Sequence, residues 1–330
     1  MDLSTSYMGL KLRNPLIVGS SNMTAKVENI KKCEEAGAGA VVLKSLFEEQ
    51  ILADSNILIN QDDMYFWYPE AINYVKETSR MGGIEDYLKL IEQSKAATSI
   101  PIIASINCTS PYEWVKFAEK IEESGADGIE LNIFLPPADI NTSSQVIEDN
   151  YINIVKAVDK IVTIPVSVKL GHYFTNLMRI THRLCNNKVK GLVLFNRYYR
   201  PDIDINKLTI TKQSIFSSPD EITLALRWIA LLSEKISCEL AGNTGVYDYE
   251  GMVKHILCGA SAVQVCSVLY KKGFEHITTM LAGLSQWMEK NGHKRSTDFK
   301  GLIHDIHETK GNFDRVQFMQ KTTGSILEKA

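Results

Sequence analysis

The chain has 330 residues, 45% hydrophobic and 23% charged, with a formal net charge of -3. That is ordinary globular composition with enough chain for a large core, and it supplies no strongly basic field for nucleic acid or an anionic membrane. No charged-then-apolar signal segment opens the chain and no run of about 18 apolar residues interrupts it, so the sequence reads as a soluble, cytoplasmic protein with a small-molecule partner.

Residues 1–14 alternate around Gly9 and predict a short hairpin plugging one end of the fold. A repeating pattern follows. Residues 15–20 form a short apolar strand, 26–37 a helix stopped by Gly37, and 39–43 a strand ending in Lys44 and Ser45. Residues 46–82 are irregular and aromatic, a connection long enough to be a lid or an interface. Helix 84–98, strand 100–106 with Asn107 and Cys108 at its end, and helix 110–125 come next. Strand 128–132 ends in Asn132, helix 149–162 follows, and strand 165–170 carries Lys169. Helix 174–186 precedes strand 191–195, which ends in Asn196. A second long loop, 197–217, leads to a capping-box pattern at Ser218, Pro219 and Glu221. Strand 237–241, the turn Gly242-Asn243-Thr244-Gly245, helix 249–258, strand 260–265 and helix 274–290 complete the pattern before a polar tail, 291–330.

About eight continuously apolar strands, each followed by a helix, imply strands buried on both faces and point to a (β/α)8 TIM barrel. The N-terminal hairpin and the two long loops are additions to it, the loops on the C-terminal face, and the whole chain 1–330 reads as one domain with its core at about 15–290. An open doubly wound sheet would want a GxGxxG turn after the first strand, which Gly19-Ser20-Ser21-Asn22 does not supply. The cysteines form no CxxC pair or metal-finger spacing, and Cys33, Cys258 and Cys266 fit small buried hydrophobes in a reducing compartment.

In a barrel the carboxyl ends of the strands meet at one mouth. That gathers Gly19, Ser20, Ser21, Lys44, Ser45, Asn107, Cys108, Asn132, Lys169, Asn196, Gly242 to Gly245, Cys266 and Ser267 into one candidate site. The AGNTG turn suits an anion, because small residues let backbone N–H groups approach phosphate oxygens and the next helix points its positive end that way. A lysine ending a central strand is costly without a partner, so Lys169 suits a cation facing an electron-rich ring, and Lys44 suits similar work from the opposite side.

Taken together, MGLKLRNPLIVGSS, VLKS, GIELNI, VSVKL, LVLFN, ELAGNTGV and HILCGASAVQVCSVLYKKG, in this order, resemble the class 1 dihydroorotate dehydrogenases, soluble FMN-dependent barrels. The resemblance implies FMN contacts at Gly19, Ser20, Ser21, Lys44, Ser45, Asn132 and Lys169, and phosphate contacts around Gly242, Thr244, Gly245, Cys266 and Ser267. It also implies substrate contacts at Asn73, Asn132 and Asn196, two-electron chemistry on a C–C bond of a pyrimidine-like ring, and a homodimer.

The pattern breaks after Asn132. Where the family places a proton-accepting cysteine or serine, this chain has Leu135, which accepts no proton, and Pro137 and Arg197 replace two further polar residues of the family. Three explanations stand open. The base has moved, with Cys108 and His172 as candidates. The substrate differs, with Arg197, Tyr198, Tyr199 and Arg200 forming a carboxylate or phosphate clamp. Or no substrate is turned over, and FMN is structural or the protein is a binding module; a non-redox phosphate-binding barrel is the competing class.

Overall fold

The structure is a computed structural model that describes residues 1–54, 83–135, 138–198, 201–212 and 215–304. The N-terminal strands β1 (Thr5–Tyr7) and β2 (Leu10–Leu12) form the expected antiparallel hairpin. Its two-residue turn uses Met8 at φ 58° and Gly9 at φ 79°, the left-handed pair that matches the twist of a tight hairpin. The barrel follows as β3 (Leu16–Val18), β4 (Ala40–Val42), β6 (Ile102–Cys108), β7 (Gly128–Ile133), β8 (Val166–Leu170), β9 (Gly191–Leu194), β12 (Glu239–Gly242) and β13 (Ala262–Val265). These strands are all parallel, and β13 pairs with β3 to close the ring. The short β5 (Leu46–Phe47) extends the line of β4 along β6. The (β/α)8 expectation is therefore met.

Helices α1 (Val27–Glu35), α2 (Glu48–Asp54), α3 (Ile84–Ala97), α4 (Lys116–Glu123), α5 (Ser144–Asp159), α6 (Leu177–Cys185), α7 (Ile222–Leu232), α8 (Tyr249–Leu257), α9 (Ser267–Lys272) and α10 (His276–Lys290) occupy the crossovers. Their apolar faces and the outward residues of the strands make one continuous core. Side-chain caps set several starts: Ser143 accepts from the Val146 amide, Asn176 from Arg179 and Asp248 from Gly251. Helix α5 thus starts at Ser144 rather than near 149, because Ser143 caps it and the first turn already carries Ile147 packed against the core.

The barrel interior is plugged from the amino-terminal end. Tyr7, Met8 and Leu12 of the hairpin bury among Ile17, Val42, Ile103 and Val193. Gly191 makes room for this plug: a Cβ there would lie 2.8 Å from Met8 Cγ and 2.9 Å from the Tyr7 ring. Beyond α10 the chain keeps packing. Phe299 is fully buried against Trp287, and Ser296 N donates to Asp2 O, so the ordered body reaches past 290.

Two features were not predicted. The 197–217 loop holds an antiparallel hairpin, β10 (Pro201–Asp204) with β11 (Thr209–Lys212). Cys185 and Cys238 form a disulfide, joining the end of α6 to the segment entering β12. No spacing rule pairs them; only the fold brings two positions 53 residues apart together. Cys33 and Cys258 are buried free thiols, as expected.

Candidate active site

Strand alternation decides which side chains reach the barrel axis. Along β7, Glu130 and Asn132 share the inward face, and the register sets Asn132 beside Asn107 of β6 and Lys169 of β8. Asn196, just past β9, donates from Nδ2 to Asn132 Oδ1 at 2.8 Å. Two asparagines expected to read a substrate are therefore in contact, with one amide orienting the other.

Lys169 is 8% exposed. Its ammonium lies 3.7 Å from Glu130 Oε1 and donates to Gln264 Oε1 at 3.3 Å. Gln264 in turn donates from Nε2 to Glu130 Oε2 at 2.5 Å. A lysine ammonium has three N–H donors, and Gln264 Oε1 is its one hydrogen-bond acceptor among the described residues. The remaining donors belong to a group that lines a cavity of about 220 Å³.

That cavity collects much of the expected site. Gly19, Ser20, Lys169, Asn196, Arg197, Thr244, Gly245, Cys266 and Ser267 line it. Thr244 at φ 71° and Gly245 at φ 78° make two successive left-handed residues, a turn shape that suits an anion, although the Gly245 N–H already donates to Ser217 Oγ at 3.4 Å. The following helix is less available than expected: Asp248 already caps α8 through the Gly251 amide. Gly242 serves packing, since a Cβ there would meet His255 Cδ2 at 2.0 Å. Burial pushes the Cys266 thiol up, opposed by a hydrogen bond from Ser21 and by the nearby Lys169 charge.

The serines form a hydroxyl chain from this cavity toward the axis. Ser20 Oγ and Ser45 Oγ are 3.0 Å apart, Ser45 Oγ and Ser105 Oγ 2.8 Å, and the Ser45 amide donates to Ser20 Oγ. Lys44 stands beside them, half-buried, its amide donating to Thr24 O at 3.4 Å.

A second cavity, of about 400 Å³, shares Asn196, Arg197, Asn243 and Thr244 with the first. His172, Tyr173, Phe195 and Tyr198 line it. Tyr173 and Tyr198 stack at 5.1 Å with 21° between planes, and Tyr198 also meets Phe134 at 4.9 Å. The segment after Asn132 has thus become part of an aromatic wall. Leu135 is half-buried against the core.

Two expectations change. Cys108 is fully buried, and desolvation together with the Glu48 and Glu49 carboxylates holds its thiol well above the ordinary range; a thiolate there is disfavoured, so Cys108 is not an accessible proton acceptor. Arg197 does reach both cavities, but its guanidinium pairs with Glu221 at 3.0 Å and donates to Ile215 O. Its charge is already matched inside the chain. Asn73, Pro136, Pro137, Tyr199 and Arg200 lie outside the described residues.

Sequence reasoning missed Glu130, Gln264 and Ser105. Their signal was present: single polar residues within apolar runs, Glu130 two positions before Asn132 and Gln264 two before Cys266, on the same inward face.

The sequence model of one family, dihydroorotate dehydrogenase, matches residues 2–288. The chain belongs to the dihydroorotate dehydrogenase family. Among its relatives, the catalytic subunit of dihydroorotate dehydrogenase B (NAD(+)) from Thermoplasma volcanium is 28% identical, the match covering 91% of this chain and 98% of that protein. The corresponding subunit from Pyrococcus furiosus is 26% identical over 93% of this chain and 100% of its own. A putative dihydroorotate dehydrogenase A (fumarate) from Aeropyrum pernix is 25% identical over 92% and 98%. Membership of the dihydroorotate dehydrogenase family makes the chain a dihydroorotate dehydrogenase-like oxidoreductase. No described helix is long and apolar enough to cross a membrane.

Proposed function

We propose that the mouth of the barrel holds FMN and that the protein oxidises or reduces a C–C bond in a pyrimidine-like ring, as a dihydroorotate dehydrogenase-like enzyme. The observation that carries this reading is Lys169, a nearly buried ammonium with spare donors facing a cavity edged by the Thr244–Gly245 turn. These residues fit the group: a cation for an electron-rich ring, hydroxyls at Ser20, Ser45 and Ser267, and the Thr244 N–H of the left-handed turn for a phosphate. When bound, FMN supplies the hydride chemistry.

The chain's own residues do the rest. Lys169, with Lys44 from the opposite side of the mouth, offers positive charge to a ring that gains negative charge on reduction. Asn132 and Asn196 orient the substrate, and their mutual hydrogen bond fixes which amide edge each presents. The Tyr173–Tyr198 and Phe134 rings offer an apolar wall to the substrate side. His172 borders the same cavity and is the proton-handling side chain that the geometry favours over Cys108. A homodimer in the cytoplasm, with a small molecule as substrate, completes the proposal.

Leu135 favours a second reading, in which the same cofactor serves a different unsaturated substrate. The two separate under anaerobic conditions with FMN-loaded protein. Loss of flavin absorbance on adding dihydroorotate or another dihydropyrimidine, slowed at least 10-fold in His172→Ala, is expected. Bleaching by NADH or dithionite but by no dihydropyrimidine would contradict the ring substrate and leave the second reading.

A further inference from the structure

Glu130 is 1% exposed and points into the barrel, in a polar layer just above the apolar plug. A carboxylate in such a place is costly unless it is paired and hydrogen-bonded. Its two oxygens are used differently. Oε2 accepts from Gln264 Nε2 at 2.5 Å. Oε1 accepts no hydrogen bond and faces the Lys169 ammonium at 3.7 Å. Gln264, also 1% exposed, bridges the two: its NH2 goes to the carboxylate and its carbonyl to the ammonium. That arrangement sets the amide's orientation, because a flipped amide would face acceptor to acceptor and donor to donor.

The register explains how the three meet. Glu130 lies level with Ser105 and Ser167, one layer beneath Asn132 and Lys169. The long lysine stem therefore starts at the mouth layer, and its head is held from below. Plain packing at that layer would be served by an uncharged residue of similar size. A buried cation at the cavity wall is not, because it needs a fixed counter-charge.

We propose that Glu130 is a positioning residue: directly and through Gln264 it fixes the Lys169 ammonium at the cavity wall and partly offsets its charge, and so sets the electron affinity of the flavin bound there. The proposal rests on the FMN reading. The sign follows from electrostatics. A positive charge beside the ring favours the electron-rich form, and a carboxylate behind that charge opposes it. Glu130→Gln keeps the shape and the link to Gln264 while removing the negative charge. The neighbourhood becomes more positive, and the reduced form gains.

The test is redox titration of FMN-loaded protein against a dye of known potential. At a fixed solution potential, Glu130→Gln raises the ratio of reduced to oxidised flavin at least 10-fold over the parent, about 30 mV for a two-electron couple. Lys169→Gln moves the ratio at least 10-fold the other way. Glu130→Asp, which withdraws the carboxylate by one methylene, shifts it in the same direction as Glu130→Gln but less, and serves if the glutamine variant does not fold. A ratio within twofold of the parent in the glutamate variants, with only melting temperature or FMN affinity altered, would overturn the proposal and leave Glu130 a structural residue. A parent protein that binds no FMN would sink the cofactor reading and this inference together; a flavin-bound parent with unmoved variants sinks this inference alone.

Discussion

His255 shows how one side chain couples the site's frame to pH. Its Nδ1 meets the Gly251 carbonyl at 2.8 Å, which assigns the proton to Nδ1, and its ring fills the space left by Gly242. Full burial holds its pKa down, from 6.5 to about 4, against the opposing effect of that hydrogen bond. A base that is harder to protonate folded than unfolded contributes stability above the unfolded pKa, lost as pH falls toward the folded one. Stability should therefore fall between about pH 6.5 and 4, by up to about 3 kcal/mol from this residue. Thermal melts across that range should show the slope reduced in His255→Phe; an unchanged slope would mean that other groups carry it. The same scale shows what the sequence could and could not convey. Lys169, Asn132 and Asn196 were legible because strand alternation sends a strand-end polar residue to the mouth. The Arg197–Glu221 pair was not, since 24 residues separate its members and no local pattern links them. Cys108 ends its strand as expected, yet burial and two nearby acids remove it from proton chemistry.

Among elements, the hydrophobic periods carried the barrel well, because each strand is buried on both faces and each helix shows one apolar stripe. Elements with weak apolar signal were the ones missed. In β10 and β11, Ile203 pairs with Ile210 while Asp202 and Asp204 fall on the other face, an alternation readable in PDIDI but masked by its place in a long loop. Helix α9 is only six residues long, Ser267–Lys272, too short to show a period. The disulfide is a relation between elements rather than a property of one. It tethers the end of α6 to the entry of β12 across 53 residues, so it limits the unfolded chain most in the half that bears β9 and the exposed hairpin. Cys238→Ser should lower stability by about 2–4 kcal/mol in denaturant titrations of oxidised protein. Equal stability of parent and variant without reductant would show that the bridge does not form.

At the scale of the whole molecule, the barrel is a tube closed at one end and chemically equipped at the other. Tyr7, Met8 and Leu12 stopper the amino-terminal end with apolar volume. Above them lies a polar layer of Ser105, Glu130 and Gln264, and above that the mouth with Lys169, Asn132 and Asn196. Phe134, Tyr173 and Tyr198 line one side of that mouth, with Leu135 packed against the core. The proposed occupant of this mouth is FMN. The visible spectrum of the purified protein, followed by titration of FMN into stripped protein, tests it most directly. A yellow protein with flavin absorbance at one FMN per chain is expected, with binding weakened at least 10-fold in Lys169→Gln. A colourless protein that leaves FMN fluorescence unchanged on titration would contradict it.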